Sequence, residues 1–569
     1  MASDMTNDFD AIVVGSGISG GFAAKELTER GLKVLLLERG RNVTHRADYT
    51  TEGRGNWQLP YYGQIPEDVV ESDYYIQKDC YAFSDFTKHF FVNDREHPYA
   101  TPEDKPFPWI RGYHLGGRSL TWHRQSYRLS EMDFEANQLD GHGVDWPIRY
   151  ADLAPWYDHV ETFAGISGSQ EGLPQLPDGP FQPPFPMNCV ELEMKERIES
   201  ALPGRHLIIG RTAHLTDPTE EQMSLGRARC MNRSECQRGC SLGAYFSSLS
   251  ATLPAANRTG NLTTVTDAIV ESVIYDAEAQ RASGVRVVDA NTRERRAYSG
   301  RAVFLCASTL ATTQIMLNSR SERFPNGIAN SSGTLGHYLM DHLGGVQAWG
   351  TFLGHEDKYE SGRRATGCYI PRFRNVGDKD ERFLRGYGYQ GAAHRPSWAR
   401  SRWAQGIGAE FKAELRQPGP WEFGMGGFGE MLPAERNRVW LDENETDQWG
   451  IPILNIDCEH GENDLAMLDA MAEDARELLE AAGLENIGVS KNPTPPGLLI
   501  HEMGTARMGH DPATSVLNKY NQAHDVPNLF VTDGACMTSS ACQNPSLTYM
   551  ALTARASAAA VDMLKEGAI

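Results

Sequence analysis

The amino-acid sequence predicts an α/β chain in which a largely parallel sheet is joined to a second, mainly antiparallel one. Three observations carry this reading. A strand, a glycine turn, a helix and a second strand follow one another within the first forty residues. Strand and helix patterns return between Leu262 and Ser319, and the section from Gly327 to Pro496 alternates aromatic and polar residues between glycine-rich turns.

Taken in order, FDAIVVG is a short run rich in β-branched residues and reads as a buried strand. SGISGGFAAKELTERG is a glycine turn opening an alanine-rich helix, and LKVLLLERG is a second strand, completing one βαβ unit. From about Asn42 to Trp109 the many Pro and Gly residues show no period, which predicts loops and insertions. NLTTVTDAIVESVIYD, ASGVRVVDA and RAVFLCA are predicted strands, and LATTQIMLNS a helix. GYGYQGAAH and EFGMGGFGEM belong to the antiparallel section. ENDLAMLDAMAEDARELLEAAG has helical apolar spacing and a glycine stop. VPNLFVTDGACM and NPSLTYMALTARASAAAVDML close the chain as a strand, a turn and a long helix.

A length of 569 residues fits three or four domain-sized units, or fewer large ones. With 54 Lys plus Arg against 75 Asp plus Glu, the formal charge is -21, and no basic run offsets it. Such a surface repels a phosphate backbone, which argues against a nucleic-acid role. Apolar residues at 40% and charged residues at 23% describe a folded globular chain. No stretch approaches the roughly eighteen uninterrupted apolar residues of a spanning helix. The start MASDMTNDFDAIVVG has acids where a signal peptide needs a basic region, so no export signal is expected. Ten cysteines are too dilute for a disulfide framework, and Cys80, Cys189, Cys306, Cys368, Cys458, Cys536 and Cys542 are scattered. Cys230, Cys236 and Cys240 instead crowd into eleven residues.

Gly15-Ser16-Gly17-Ile18-Ser19-Gly20 stands between the first strand and the first helix. Missing side chains there permit a tight turn and close backbone approach to a pyrophosphate, with the helix N-terminus facing the anion. Glu38, eighteen residues after Gly20, ends the second strand, where a carboxylate can accept hydrogen bonds from an adenosine ribose. It favours a ribose 2'-hydroxyl over a 2'-phosphate, since like charges would meet. This Rossmann-like unit alone leaves NAD and FAD open.

Three further pieces narrow the choice: Gly116-Gly117-Arg118-Ser119, then His501-Glu502-Met503-Gly504-Thr505, then Thr532-Asp533-Gly534 followed by Asn544-Pro545-Ser546-Leu547-Thr548. Together with the glycine turn, in this order and over nearly the whole chain, they resemble the glucose-methanol-choline flavoprotein oxidoreductases. The resemblance implies FAD, with its ADP half on Gly15, Gly17, Gly20 and Glu38 and its adenine near the backbone of Val270. It places the flavin against Gly116, Gly117 and Ser119, and the ribityl and pyrophosphate groups near Asp533 and Gly534. It also implies a discontinuous FAD-binding domain of residues 1–45, 105–165, 225–325 and 497–569. Residues 46–104, 166–224 and 326–496 then form a substrate-binding domain and insertions. Some relatives tether flavin to a histidine just after the Gly-Gly turn. Thr121 stands at that position, so a non-covalent flavin is expected, with His123 two residues on as the alternative tether.

Oxidising an alcohol requires a base for the hydroxyl proton and a second polar group fixing the oxygen while hydride leaves for the flavin. By resemblance that pair is His501 and Asn544. Asn544 could equally cap the helix begun by Pro545, and Gln543 is a candidate substrate contact. Cys230, Cys236 and Cys240 lie among Arg227, Arg229, Arg233 and Arg238, where positive charge favours thiolate. They can ligate an iron-sulfur cluster or form a disulfide plus a free thiol; zinc lacks an evident fourth ligand in the segment.

Their spacing resembles that in catalytic subunits of bacterial multi-subunit sugar dehydrogenases, which hold a three-iron cluster, although Ser241 stands where those tend to have Pro. Within the family the chain is most similar to glucoside 3-dehydrogenase large subunits. That likeness implies a dehydrogenase oxidising a secondary hydroxyl of a sugar or glycoside, at C3 of a glucoside, and passing electrons to a cytochrome or quinone. It also implies a small subunit carrying the export signal, hence a cytoplasmic chain or a periplasmic one by co-export. An oxygen-using pyranose or glycoside oxidase, and a FAD-containing lyase of the same fold, are the alternatives. No motif in residues 327–496 identifies the sugar.

Overall fold

A computed structural model describes residues 6–359, 366–397, 400–401 and 404–569. The leading MASDM of the start discussed above lies outside them. The architecture is α/β, built on two seven-stranded sheets and one two-stranded ribbon, Arg438–Thr446 with Pro452–Asp457.

The first sheet runs Leu262–Val265, Val34–Leu37, Thr6–Val14, Arg295–Leu305, Arg281–Asp289 and Ala268–Asp276. The first three pair in parallel, and Thr6–Val14 is also parallel to Arg295–Leu305. Residues 11–14 and 34–37 are buried, which explains their continuous apolar runs. Arg295–Leu305 changes partner along its length. Its residues 295–299 pair antiparallel with Arg281–Asp289, and its last three pair in parallel with the C-terminal strand Leu529–Val531. Asn528 anchors that strand: its buried side chain accepts from the Ala282 N–H at 2.8 Å and donates to the Ala282 and Arg301 carbonyls, each at 2.7 Å. Helix Ile18–Glu29 packs against the final helix Ser546–Glu566, so the two ends of the chain share one core.

The second sheet is antiparallel throughout, in the order Glu485–Lys491, Val346–Phe352, Trp421–Glu430, Tyr387–His394, Cys368–Ile370 and Ile208–Ile209. His342–Leu343 adds to the end of Trp421–Glu430. The alternation of Trp421–Glu430 puts Phe423, Met425 and Gly427 toward helix Glu462–Ala481. A side chain at Gly427 would collide with Met471 of that helix, so glycine here permits the close packing. The opposite face carries Gly426 and Phe428.

The βαβ unit, the strands between Leu262 and Leu305, helix Thr309–Asn318, the antiparallel sheet, helix Glu462–Ala481 and the closing strand and helix all occur where the pattern predicts them. The stretch from Asn42 to Trp109 holds only the short helix Glu67–Asp73 and single 3-10 turns.

Candidate active site

A cavity of about 660 Å³ runs from the glycine turn of the first sheet to the face of the second. Gly15, Gly17, Glu38 and Val270 line it, as do Gly117, Ser119, Asp533 and Gly534. His501, Asn544, Gln347 and Gln390 also line it. Gly20 and Gly116 lie behind the wall. A Cβ on Gly20 would fall on the Gly15 carbonyl, so this glycine lets the helix close onto its own turn. The Gly116 N–H donates to Ser16 Oγ at 2.8 Å, and that hydroxyl donates to Glu38 at 2.5 Å, which ties the two glycine turns together.

The glycine end fits a dinucleotide. Gly17 precedes helix Ile18–Glu29, whose first turn has no acidic residue and whose N-terminus has no side-chain cap. Its N–H groups are therefore available to an anion. A Cβ on Gly17 would meet no protein atom within 4 Å, so its missing side chain leaves room in the cavity, not in the packing. Glu38 is held by the Ser16 and Gly40 N–H groups at 3.1 and 2.9 Å. Burial pushes its carboxyl up, with the Ser16 hydrogen bonds opposing. Asp533 is held by Thr312 Oγ1 at 2.5 Å and the Ala535 N–H at 3.0 Å, and burial raises it to about 6. Tyr549 also lines the cavity, with its hydroxyl buried and without a hydrogen-bond partner among the described residues.

The catalytic pair proposed from sequence comes together through two loops. His501 follows Ile500, held at φ 65°, an unfavourable conformation for a β-branched residue. The buried Asp341 carboxylate maintains this loop by accepting the backbone N–H groups of Gly497, Leu499 and His501 at 2.7, 3.1 and 3.1 Å. Burial, aided by His342 and Arg118, holds the His501 imidazole well below its ordinary range, so it is an unprotonated base at neutral pH. Arg118 also forms a bidentate pair with Glu502, at 3.0 and 2.8 Å, joining the Gly-Gly turn to the histidine loop.

Asn544 is not a helix cap. Pro545 precedes the first helical residue, no side chain caps Ser546–Glu566, and the Asn544 Oδ1 instead accepts from Gln390 Nε2 at 2.6 Å. With its oxygen so occupied, its amide N–H groups are the ones left to face a substrate oxygen. Gln543 turns away from the cavity to Asp133, its Nε2 donating at 3.0 Å. Two of the other amides that line the cavity, Gln347 and Gln390, come from strands on either side of Trp421–Glu430 and are both in register with Gly426. Sequence alone could have found them only by their alternation with inward-facing neighbours, once the strand register was known.

Thr121 and His123 both line the cavity beside the Gly-Gly turn. No disulfide joins Cys230, Cys236 and Cys240, each of which is a thiol. These three are half-buried, and no group of three His, Cys, Asp or Glu side chains among the described residues is arranged around a single metal ion. The zinc reading therefore finds no site. Contacts connect the loop to the cavity. Arg124, which lines the cavity, stacks on Tyr245 at 4.5 Å from its centroid; Tyr245 lies 6.1 Å from the His214 ring; and His214 Nε2 is 3.7 Å from Cys236 Sγ.

Family models described as GMC oxidoreductase match residues 9–344 and 433–553. The 2-methyl-1,2-propanediol dehydrogenase of Mycolicibacterium austroafricanum is 29% identical, over 96% of this chain and 94% of its own. The fructose dehydrogenase large subunit of Gluconobacter japonicus is 26% identical, over 99% and 100%. Among solved structures, an Aspergillus oryzae formate oxidase variant superposes with a TM-score of 0.59 at 15% identity, over 100% of this chain and 99% of that one, a likeness of fold.

The Arg118–Glu502 pair yields a stability prediction. Glu502 is almost wholly buried, and removing one member of a buried pair strands the other. Arg118→Met is expected to lower the unfolding free energy by about 3 kcal/mol, and Arg118→Lys by less, because lysine restores the charge but not the fork. Urea titration of the three proteins measures this; equal stability of Arg118→Met and the parent would remove the pair from the framework.

Proposed function

The chain belongs to the GMC oxidoreductase family and is an FAD-dependent oxidoreductase acting on CH–OH groups; on that premise we propose that it oxidises a secondary hydroxyl of a sugar or glycoside, at C3 of a glucoside, to the keto product and delivers the electrons to an external acceptor. The observation that carries this reading is a set of polar side chains on one cavity: His501, Asn544, Gln347 and Gln390 all line it, and Gln390 is hydrogen-bonded to Asn544. FAD, when bound, supplies the hydride acceptor. In this proposal His501 takes the hydroxyl proton. Asn544, oriented by Gln390, donates to the substrate oxygen and stabilises the charge that develops on it. The Gln347 and Gln390 amides suit neighbouring hydroxyls, each able both to donate and to accept. The residues proposed to hold FAD are Gly15, Gly17, Gly20, Glu38, Gly116, Gly117, Ser119, Val270, Asp533 and Gly534.

Electron delivery is the finer part of the proposal. The likeness to a protein named a large subunit, over its whole length, supports a small partner subunit and a cytochrome or quinone acceptor. Cys230, Cys236 and Cys240 are the proposed seat of a [3Fe-4S] cluster, which would supply an electron-carrying group there. The contacts from Arg124 through Tyr245 and His214 to Cys236 support that placement. No helix among the described residues is long and apolar enough to cross a membrane.

Anaerobic titration with glucose, trehalose, a glucoside and gluconate, following the flavin spectrum, tests the substrate class. Bleaching by the glucoside is expected, and indifference to every sugar would defeat the reading in favour of a lyase. His501→Ala should keep FAD yet slow flavin reduction by about 100-fold. With the parent, the rate should be level on the alkaline side, fall as pH drops through about 7, where the buried Asp341 carboxylate that holds the loop takes up a proton, and fall further at lower pH as the depressed His501 gains one. An inflection above neutrality would contradict the assignment.

Acid precipitation should leave a colourless pellet and a yellow supernatant, because Thr121 replaces a tethering histidine; a yellow pellet would point to His123. Protein prepared without oxygen and with its partner subunit should carry about three irons per chain. Cys236→Ser should lose the iron and rapid delivery to a dye while glucoside still bleaches the flavin. Iron-free parent protein, with peroxide formed in air, would favour an oxidase.

A further inference from the structure

The second ring nitrogen of His501 is not left to solvent. Its Nδ1 lies 3.0 Å from the Nδ1 of His342, with the two rings edge to face at a centroid distance of 4.8 Å. His342 is almost wholly buried on the short strand His342–Leu343, held by pairing with Gly429 and Glu430. Its other nitrogen, Nε2, is buried with no hydrogen-bond partner. The ring's protonation is otherwise favoured by the backbone of Ser540 and Ala541, on the loop that leads to Asn544. His342 therefore stands between the two loops that carry the proposed catalytic pair. Nothing in the local sequence around His501 points to it, since 159 residues separate the two rings.

Two imidazoles facing each other through like atoms share one proton, and this restricts their states. If His501 is to present a lone pair to substrate from Nε2, its own proton must be on Nδ1. His342 Nδ1 must then accept, and the His342 proton must be on Nε2. A neutral His342 that carries its proton on Nε2, on a ring whose protonation the Ser540 and Ala541 backbone favours, is the partner that leaves His501 a base. The same contact matters after proton uptake. When the substrate O–H breaks, its proton goes to His501 Nε2, and the carbinol hydrogen leaves with its electron pair to the family's flavin. The Nδ1 proton can then shift to His342 Nδ1, spreading the charge over both rings. We propose that His342 is the positioning residue of the site: it fixes the His501 tautomer and shares the proton that His501 takes up.

The charged groups around the pair fit this role. Arg118, locked to Glu502, is close enough to His501 to act on its charge, and Asp341 holds the backbone of its loop. Arg118 disfavours a localised charge on His501, so a second ring to receive part of it is useful. Burial also holds His342 down, to about 4, which keeps it neutral and accepting until His501 takes up a proton.

This inference rests on the alcohol-oxidation reading, and its test separates the two. The tautomer is measured without substrate, by nitrogen-15 imidazole shifts of the FAD-bound protein, with His501→Gln identifying the resonance. An Nδ1-protonated His501 is expected; the Nε2-protonated form would overturn the proposal whether or not any sugar is oxidised. The proton-sharing role is tested by His342→Asn and His342→Phe. Asn keeps an acceptor oxygen for the Nδ1–H but cannot take up a proton. Its flavin-reduction rate should fall by less than about 10-fold, with the acid inflection moved to lower pH, whereas Phe should lose about 100-fold. Equal rates and unmoved pH profiles in both variants would reduce His342 to packing and overturn it. If His342→Phe fails to bind FAD, the Asn profile and the parent tautomer still decide. A parent protein whose flavin no sugar or alcohol reduces defeats the activity reading alone.

Discussion

The buried ion pair between Arg118 and Glu502 connects parts of the chain 384 residues apart, and the site depends on that connection. Arg118 belongs to the turn Gly117–Leu120 within the second glycine motif; Glu502 follows the proposed base. Neither segment is in a long helix or strand that would hold it independently. A bidentate pair restricts distance and angle together, so it aligns the wall proposed for the flavin with the wall proposed for the base. Its geometry is reinforced from behind, where Asp341 accepts three backbone N–H groups of the histidine loop and Ser16 couples the two glycine turns. The loop is consequently rigid despite its lack of regular structure, which is what positioning a base requires.

The two sheets divide the work by chemistry. The parallel sheet ends in glycine turns and a helix N-terminus, a surface of backbone N–H groups suited to an anionic cofactor. The antiparallel sheet instead supplies side-chain amides, Gln347 and Gln390, on the face opposite its packed helix. Where the sheets meet, Gln390 reaches Asn544, so a residue of the proposed recognition surface orients a residue of the proposed reaction surface. A change in substrate preference introduced at Gln390 would therefore carry a change in rate with it, unlike one at Gln347.

Much of the nucleotide end was legible in sequence because its determinants are local. A turn without side chains, a helix start and a strand-ending acid lie within the short stretch from Gly15 to Glu38, and each has its own chemical signature. His501 and Asn544 were legible by resemblance. The residues that support them were not. His342 and Gln390 are ordinary strand residues, and only the register of an antiparallel sheet decides which face each occupies. Gln543, next to Asn544 in the chain, illustrates the converse. Adjacency suggested a substrate contact, but the polypeptide turns there and sends its side chain to Asp133. The cysteine loop shows the same limit: its spacing is visible in sequence, whereas the approach of His214 and Tyr245 depends on long-range folding.

The C-terminal strand Leu529–Val531 has an implication for synthesis. It fills the place beside residues 303–305, and the following residues bring Asp533 and Asn544 to the cavity. A ribosome that has released the first three hundred residues has exposed a nearly complete parallel sheet with one apolar margin unpaired. Phe304 stacks on Phe530 at 4.7 Å between ring centroids in the finished protein, and during elongation its ring has no such cover. The nascent chain thus carries an adhesive sheet edge while more than two hundred further residues are made. Its protection, and assembly of the complete cavity wall, wait for the last fifty or so residues to emerge.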